Sequence, residues 1–454
     1  MAVADSSWTQ RIRDPVHGLV VFGDHGDRER DETDRIAWNL LNTPEFQRLR
    51  RIRQLGFSDL VFPGATHSRF AHSIGVYHMA RRLADVIARR MGDERNVDRE
   101  RIALLAALLH DIGHGPFSHA FEAVAKALKR PRRHEAWSAE IVLGDTQVNR
   151  VLRDADEDLP ERVGAVLDDT EPKDIYSAIV SSQFDADRLD YIQRDRLMTG
   201  VEFGHIDRDW LLDCLRVGTV TVGRHDPVET PCLYLGPKGI QVAEEYLEAR
   251  FRLYRMVYMH KTTRAAEKML ETLLQRAVEW MREECSSPRD PVLRYFAADE
   301  PLLGAYLDLD DAAVWAAMTV CSEWKHAPIA GLAQRLRGRS LYKCVEVRSR
   351  SGKDGNLWLR FRRKLDERAP AWRDEVLFDD AAVSSYKWYP FDDSSALGKV
   401  LVKTHDDMIE PEDIVDVSDT VRVLRDNGER IQRVYAPDTE RAEELRAVLK
   451  EAEG

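Results

Sequence analysis

The stretch LLHDIGHGPFSHAFE, residues 108–122, places five ionisable side chains directly after an apolar segment. The preceding run RIALLAALLH, residues 101–110, is hydrophobic almost all round, which predicts a helix in the centre of a core. His110 and Asp111 end this run, and burying them is unfavourable unless an opposite charge compensates. Two glycines and a proline follow, so the chain can turn and bring later histidines back. The pattern predicts a mainly α fold around a polar site.

A divalent metal ion would supply the missing compensation, because imidazole nitrogen and carboxylate oxygen are both good ligands for such ions. The alternative is a helix end capped by polar residues, with a protonated histidine favoured by the helix dipole. A bare His-Asp pair would fit that alternative. The full cluster favours the metal, and it consists of His110, Asp111, His114, His119 and Glu122.

Two other segments carry similar side chains, ATHSRFAHSIGVYH at 65–78 and QFDADRLDYIQRD at 183–195. In the second segment, Asp187, Tyr191 and Asp195 are spaced at i, i+4 and i+8, so they share one face of a helix. A solvated helix face would show the same pattern. This stripe alone therefore leaves the choice open.

A second stripe lies in ARFRLYRMVYMHKTTRAAEKML, residues 249–270. Arg250, Tyr254 and Tyr258 have the same spacing, which puts one cation and two aromatic rings on one face. Tyrosines packed in a core are the alternative explanation. A role in gripping phosphates and stacking a base needs support from elsewhere in the chain.

The order of His72, the pair His110-Asp111 and Asp187 resembles the signature of HD phosphohydrolases. The surrounding segments resemble deoxynucleoside triphosphate (dNTP) triphosphohydrolases, both the bacterial dNTPases and the catalytic domain of the mammalian SAM-and-HD-domain enzyme. The similarity covers about residues 11–265. It rests on DPVHG, TPEFQRLRRIRQLG, FPGATHSRFAHSIGVYHMA, LLHDIGHGPFSHAFE and FDADRLDYIQRD.

This resemblance implies an HD-domain helical core that hydrolyses a dNTP to deoxynucleoside and tripolyphosphate with a divalent ion, which could be Mn, Mg, Fe, Co, Ni or Zn. The implied metal ligands are His72, His110, Asp111 and Asp187. The implied catalytic residues are His114, His119, Glu122 and His134. The implied substrate contacts are Gln54, Leu55, Arg69, Arg188, Tyr191, Asp195, Arg250, Tyr254 and Tyr258.

Several positions depart from the family pattern. Glu122 stands where aspartate is usual, and Arg188 replaces the lysine of the mammalian enzyme. Met259 replaces a base-contacting glutamine, so base selectivity is expected to differ. The resemblance further implies a homo-oligomer, a dimer or tetramer. If a nucleotide effector acts on this protein, we expect it to act differently, because Asn42 replaces an acid that reads the effector base.

The rest of the chain predicts three regions: an HD domain over 1–290, a helical connector over 291–334 and a small α+β lobe over 335–454. Within the first, TVTVG and CLYLG predict a β-hairpin, helices are expected at 173–182 and 239–284, and the helix from Thr43 should end near Gly56. In the lobe, the predicted strands are LYKCVEVRS, LWLRF, EVLF, GKVLVK and IQRVYAP, followed by the helix RAEELRAVLKEA.

Composition limits the partners. The net charge of -12 argues against broad binding to nucleic acid, because phosphate backbones attract basic surfaces. The sequence has neither a long uncharged apolar run nor an apolar N-terminal segment, so we expect a cytoplasmic protein that does not enter a membrane. The five cysteines are dispersed and form no CxxC pair, which is typical of ordinary thiols.

Two other functions stay open from the sequence. An HD hydrolase could act on another phosphoester, such as a monophosphate, cyclic or signalling nucleotide, because one fold supports several reactions. A non-catalytic nucleotide-sensing scaffold with a structural metal is the second. The surplus of proton-transfer groups beside the expected ligands counts against that scaffold.

Overall fold

The protein is described here by a computed structural model that covers residues 8–169, 171–222, 228–284, 289–348, 356–383, 393–426 and 429–453. Helices make up 62% of the structure, which confirms a mainly α fold. None of its described helices is both long enough and apolar enough to span a membrane.

Helices of the first two thirds of the chain surround the apolar segment that precedes the HD pair. Their bounds are α1 Arg28–Leu41, α2 Pro44–Arg48, α3 Arg69–Met91, α4 Val97–Leu109, α5 His119–Ala127, α6 His134–Leu143, α7 Gln147–Ala155, α8 Leu159–Asp168, α9 Ala186–Thr199, α10 Arg208–Cys214, α11 Ile240–Leu253 and α12 Lys261–Glu283.

The later helices are mostly shorter. They are α13 Pro291–Ala297, α14 Leu303–Leu307, α15 Asp311–Ser322, α16 Ala327–Arg337, α17 Leu357–Arg368, α18 Ile414–Val417, α19 Asp419–Asp426 and α20 Thr439–Glu453.

Three small sheets complete the described structure. An antiparallel pair joins β1 to β2, a second sheet has the order β3-β4-β7-β8, and a third has the order β5-β9-β6. The predicted hairpin is confirmed as β3 and β4, although two short strands from the C-terminal region extend its sheet. The strand bounds are β1 Gln10–Asp14, β2 Gly18–Phe22, β3 Leu215–Val222, β4 Val228–Leu235, β5 Lys343–Glu346, β6 Leu377–Val383, β7 Leu401–Val402, β8 Glu412–Asp413 and β9 Glu429–Ala436.

Side-chain caps fix where two of the site-bearing helices begin. Ser68 precedes α3 and accepts from the third residue of that helix, and Asp185 precedes α9 in the same way. Such caps satisfy backbone N–H groups that have no partner inside the helix. They place His72 in the first turn of α3 and Asp187 in the first turn of α9, while α4 ends at Leu109 beside the HD pair.

Four of the shorter predicted elements differ in the structure. LWLRF is not a strand but the start of α17, because Leu357, Trp358, Phe361 and Leu365 are buried at helical spacing. The helix expected over 173–182 is reduced to one described 3₁₀ turn. The helix expected up to Gly56 ends at Arg48 and continues as a 3₁₀ turn. GKVLVK contributes only the two-residue strand β7.

The long helix predicted over 239–284 is divided. A π-helical turn at Tyr254–Tyr258 follows α11, and the chain then breaks before α12. His260 has extended backbone angles and its Nδ1 accepts from the backbone N of Thr262, so it caps the second helix. π-Turns are frequent at functional sites, and this one lies beside the candidate site.

Two large hydrophobic cores meet beside the HD segment. The first contains the buried faces of α1, α3, α4 and α9, and the second contains those of α12, α13, α15 and α16. A smaller third core lies between α17, α20 and the β5-β9-β6 sheet. The three predicted regions, 1–290, 291–334 and 335–454, stay a prediction.

Candidate metal centre and active site

Four predicted ligands converge: His72 from α3, Asp187 from α9, and His110 with Asp111 from the segment that follows α4. Nε2 of His72 lies 3.0 Å from Oδ1 of Asp187 and 3.7 Å from Oδ2 of Asp111. Nε2 of His110 lies 3.3 Å from Oδ1 of Asp111 and 3.7 Å from Oδ1 of Asp187. One donor atom each of His72, His110 and Asp111 lies within 4.8 Å of the others, so this cluster could hold a metal ion.

The donor set fits a divalent ion. Nε2 of His72 and of His110 are buried, and neither has a hydrogen-bond partner of acceptable geometry in the described part of the chain. Their Nδ1 atoms are engaged instead, by Oδ2 of Asp190 at 2.7 Å and by the carbonyl of Ala107 at 2.9 Å. A hydrogen bond at Nδ1 directs the lone pair to Nε2, which is the arrangement of metal-binding histidines.

Behind His72, a buried polar network holds Asp190 in place. Arg194 donates from Nε and Nη2 to both of its oxygens at 2.8 and 2.9 Å, and Nη1 reaches Asp14 at 2.9 Å. Nε2 of His17 lies 2.6 Å from Oδ1 of Asp190. The sequence assigned none of these residues a role, although the DPVHG segment contains both Asp14 and His17.

The groups that could move protons lie beside the cluster. The rings of His114 and His134 stack with their centroids 3.7 Å apart, and Nδ1 of His134 lies 2.7 Å from Oε1 of Glu122. Nε2 of His114 lies 3.2 Å from Oδ1 of Asp111. Burial and the nearby charges of Arg69 and His134 hold the pKa of His114 well below its usual range. The His114 ring is therefore neutral at physiological pH.

A strained loop completes the metal side of the site. Phe117 and Ser118 both have φ of 52°, a left-handed conformation that is uncommon outside glycine. Oδ1 of Asp311 accepts from the backbone N of Phe117 at 2.9 Å and holds the loop. Arg69 donates to Oγ of Ser118 from Nε at 3.0 Å and from Nη2 at 2.7 Å, and its Nη1 contacts Asp111.

The charge of Arg69 also acts on the metal cluster. Burial alone would raise the pKa of Asp111, but Arg69 and the neighbouring histidines hold it well below its usual range. Asp111 is thus a carboxylate, the form that binds a metal. Burial would likewise lower the pKa of His72, but Asp187 and Asp190 raise it to about 10. A positive charge at Nε2 is therefore favoured, and a metal ion would supply it.

One cavity of about 440 Å³ contains these groups together with the tyrosines. A volume of that size suits a small-molecule ligand. The predicted residues that line it are Gln54, Leu55, Arg69, His110, Asp111, His114, His134, Asp187, Tyr191, Asp195, Tyr254 and Tyr258. Met259, which stands in place of the family's base-contacting glutamine, lines the cavity too. Lining residues without a predicted role include Ser118, Thr263, Arg264 and Glu267.

Four predicted site residues lie elsewhere. His72 is fully buried behind the cavity, and Glu122 is reached through His134. Arg250 is 5% exposed and donates from Nη1 to Oε1 of Gln183 at 2.7 Å, so it does not face the cavity in this conformation. Arg188 is paired with Asp185 and is not a lining residue. The side chain of His119 lies outside the described residues.

Tyr254 and Tyr258 form a wall of the cavity, called here the tyrosine wall, and Tyr258 is hydrogen bonded to the buried Asp195. Oδ2 of Asp195 accepts from the hydroxyl of Tyr258 at 2.6 Å, and Oδ1 lies 2.8 Å from Nε2 of His67. Tyr254 packs edge-on against Tyr258 with the ring centroids 5.0 Å apart. The two aromatic residues and the acid therefore form one polar-aromatic wall of the cavity.

Comparison with known proteins adds two family matches. The HD domain model matches residues 69–195, a span that includes the four candidate ligands. The model of the HD associated region matches residues 228–450. Together these matches cover both the metal cluster and the C-terminal sheets.

The chain is similar to several proteins. It is 38% identical to the uncharacterized protein YwfO of Bacillus subtilis over 74% of this chain and 71% of that protein. It is 28% identical to the deoxynucleoside triphosphate triphosphohydrolase SAMHD1 of Danio rerio, of whose length it spans 55%. A phosphohydrolase structure from Bacteroides thetaiotaomicron matches with a TM-score of 0.71 at 25% identity, over 94% of this chain and 99% of the other. The chain belongs to the HD-domain hydrolase superfamily and carries the HD associated region.

Proposed function

We propose that this protein is a divalent-metal-dependent hydrolase that converts dNTPs to deoxynucleosides and tripolyphosphate. The observation that carries the proposal is one cavity that combines three of the four candidate metal ligands, a neutral His114 beside a Glu122-bound His134, and a tyrosine wall. A structural metal site needs ligands but no adjacent proton-transfer groups.

The relatives support the choice of substrate. SAMHD1 of Danio rerio and its Dictyostelium discoideum homologue both carry the name deoxynucleoside triphosphate triphosphohydrolase, and the chain is 28% and 27% identical to them. The similarity to the first extends over 74% of this chain. The activity is a proposal for this protein, because the chain spans only 55% and 60% of those two proteins.

In the proposed reaction, a water oxygen bonds to the α-phosphorus and the bond from phosphorus to the 5′ oxygen breaks. The metal, when bound at His72, His110, Asp111 and Asp187, would polarise a phosphoryl oxygen and lower the pKa of water.

The remaining steps belong to the chain. The pair of His134 and Glu122 exchanges protons with water and with the departing 5′ oxygen, together with His114. Arg69 supplies a positive charge beside the phosphates. The wall of Tyr258 and Asp195 orients the sugar. A homo-oligomer is part of the same proposal, and a nucleotide effector, if one acts, acts differently from that of the mammalian enzyme.

The test is product analysis. Purified protein with Mn²⁺ is incubated with each of the four dNTPs and four NTPs, and products are separated by anion exchange. We expect deoxynucleoside and tripolyphosphate in equal amounts, abolished in His110→Ala and retained in the exposed-histidine control His405→Ala. Pyrophosphate with a monophosphate, or turnover only of another phosphoester, would refute the proposal.

A further inference from the structure

Three charged residues form a row across the C-terminal sheet. Arg433 on β9 is in register with Glu346 on β5 and with Asp379 on β6, so all three side chains point to one face. Arg433 is 7% exposed and Asp379 is 2% exposed. Glu346 is only partly buried and pairs with Arg433. Burying Arg433 and Asp379 is unfavourable unless both have partners, and each has a further partner in the cavity wall.

Both partners are cavity residues. Nη1 of Arg433 donates to the carbonyl of Met259 at 2.6 Å. Arg264 presents Nε and Nη2 to the two oxygens of Asp379 at 3.0 and 2.5 Å. Met259 and Arg264 line the same cavity as the metal cluster. The C-terminal sheet therefore fixes one wall of the candidate active site through two contacts.

The charge balance of this wall indicates what it binds. Arg264 also donates from Nη1 to Oε2 of Glu267 at 2.7 Å, so two carboxylates face one guanidinium. The local net charge is negative, which disfavours a triphosphate. Three of the five N–H groups of Arg264 are used by these two acids among the described residues, and two remain for a ligand. Glu267 lines the cavity as well, so a carboxylate, an acceptor group, lies beside the guanidinium.

Donors and acceptors side by side on a wall without net positive charge suit a neutral heterocycle that has both kinds of group on one edge. A nucleobase has such an edge. The metal cluster and Arg69 form the other side of the cavity, where phosphates would bind. The two ends of a nucleotide therefore correspond to two walls of different charge.

We propose that Arg264 determines base specificity by hydrogen bonding to the nucleobase, and that Asp379 and Arg433 are positioning residues that hold this wall. The inference rests on the proposed function for the identity of the ligand as a nucleotide. It gives the C-terminal sheet a direct role in substrate choice.

The experiment measures binding as well as turnover. Affinities for the four dNTPs are determined by calorimetry for the wild type, Arg264→Gln, Arg264→Lys and Asp379→Asn, and kcat and KM follow wherever turnover occurs. The control is Arg430→Gln, which removes a bidentate Arg-Asp pair with Asp380 on the same sheet, where the Arg430 side chain is 69% exposed.

In Arg264→Gln we expect the affinity ratio between the best and worst base to fall on the order of 10-fold, the effect of removing a buried hydrogen bond to a ligand. Where turnover occurs, we expect KM for the favoured base to rise more than kcat falls, because the change removes a contact to the base and no metal ligand. Lysine should not restore the ratio, since it lacks the planar fork. Asp379→Asn should act in the same direction without adding to Arg264→Gln.

Base ratios that are unchanged in Arg264→Gln, or absent in the wild type, would overturn the inference. So would an equal change in Arg430→Gln. The products decide the proposed function separately: hydrolysis to tripolyphosphate with unaltered base ratios would leave that function standing. Base-dependent binding that needs Arg264, without release of tripolyphosphate, would support the inference and refute the reaction.

Discussion

Gly75 lies on α3 three residues after His72, where the helix passes the Asp190-Arg194 pair. A Cβ added at Gly75 would overlap Oδ1 of Asp190 and lie 2.7 Å from its Cγ and 2.5 Å from Nη2 of Arg194. The buried pair must then separate, and breaking such a pair is unfavourable by about 3–5 kcal/mol. Alanine favours a helix over glycine by about 1 kcal/mol. We therefore expect Gly75→Ala to lower the free energy of unfolding by about 2–4 kcal/mol.

The same change should weaken metal binding, because Asp190 holds Nδ1 of His72. Displacing a partner of a metal-binding histidine lowers affinity by about 10- to 100-fold. Urea unfolding and calorimetric titration with Mn²⁺ measure the two effects. The matched control is Gly331→Ala on α16, where an added Cβ meets nothing within 4 Å and stability should rise by up to about 1 kcal/mol. Wild-type stability and Mn²⁺ affinity in Gly75→Ala would refute this reasoning.

Three further predictions concern stability and metal dependence. Tyr306→Phe removes the hydroxyl that donates to the carbonyl of Gly113 at 2.6 Å, so urea unfolding should show a loss of about 1 kcal/mol. Burial lowers the pKa of His78 from 6.5 to about 3, so the native ring stays neutral while the unfolded chain takes up a proton. Stability should therefore fall by about 1.5 kcal/mol from pH 6.5 to 5, and His78→Asn should flatten this slope in pH-dependent unfolding. Chelation should abolish hydrolysis reversibly, and Asp187→Asn should raise the Mn²⁺ concentration needed for half-maximal rate.

The candidate metal-binding residues were predictable because they belong to patterns that are visible within short stretches of the sequence. His110-Asp111 ends an apolar run, and Asp187, Tyr191 and Asp195 repeat at helical spacing, so few backbone arrangements are compatible with both patterns. The sequence also placed Arg250 on the tyrosine stripe. It could not show that Gln183 binds the guanidinium of Arg250, because that contact joins residues 67 positions apart.

The elements that were predicted wrongly were all judged from hydrophobic periodicity in short stretches of sequence. LWLRF reads as a strand over five residues, and only the longer pattern to Leu365 reveals a helix. Hydrophobic periodicity also does not reveal the break between Tyr258 and α12. The π-turn at Tyr254–Tyr258 shifts the helical phase, yet its sequence still contains apolar and aromatic residues. Long-range contacts such as Asp379 with Arg264 leave no periodic signal.

The two cores support different parts of the site. His72 lies on α3 and His110-Asp111 follows α4, and both helices pack in the first core. Arg264 lies on α12, whose apolar side, including Met269 and Leu273, is buried in the second core. The cavity lies where these cores meet. If Arg264 contacts the base as proposed, substrate choice can change through α12 and the sheet behind it while the metal-binding residues keep their packing. A fold alone does not dictate a substrate.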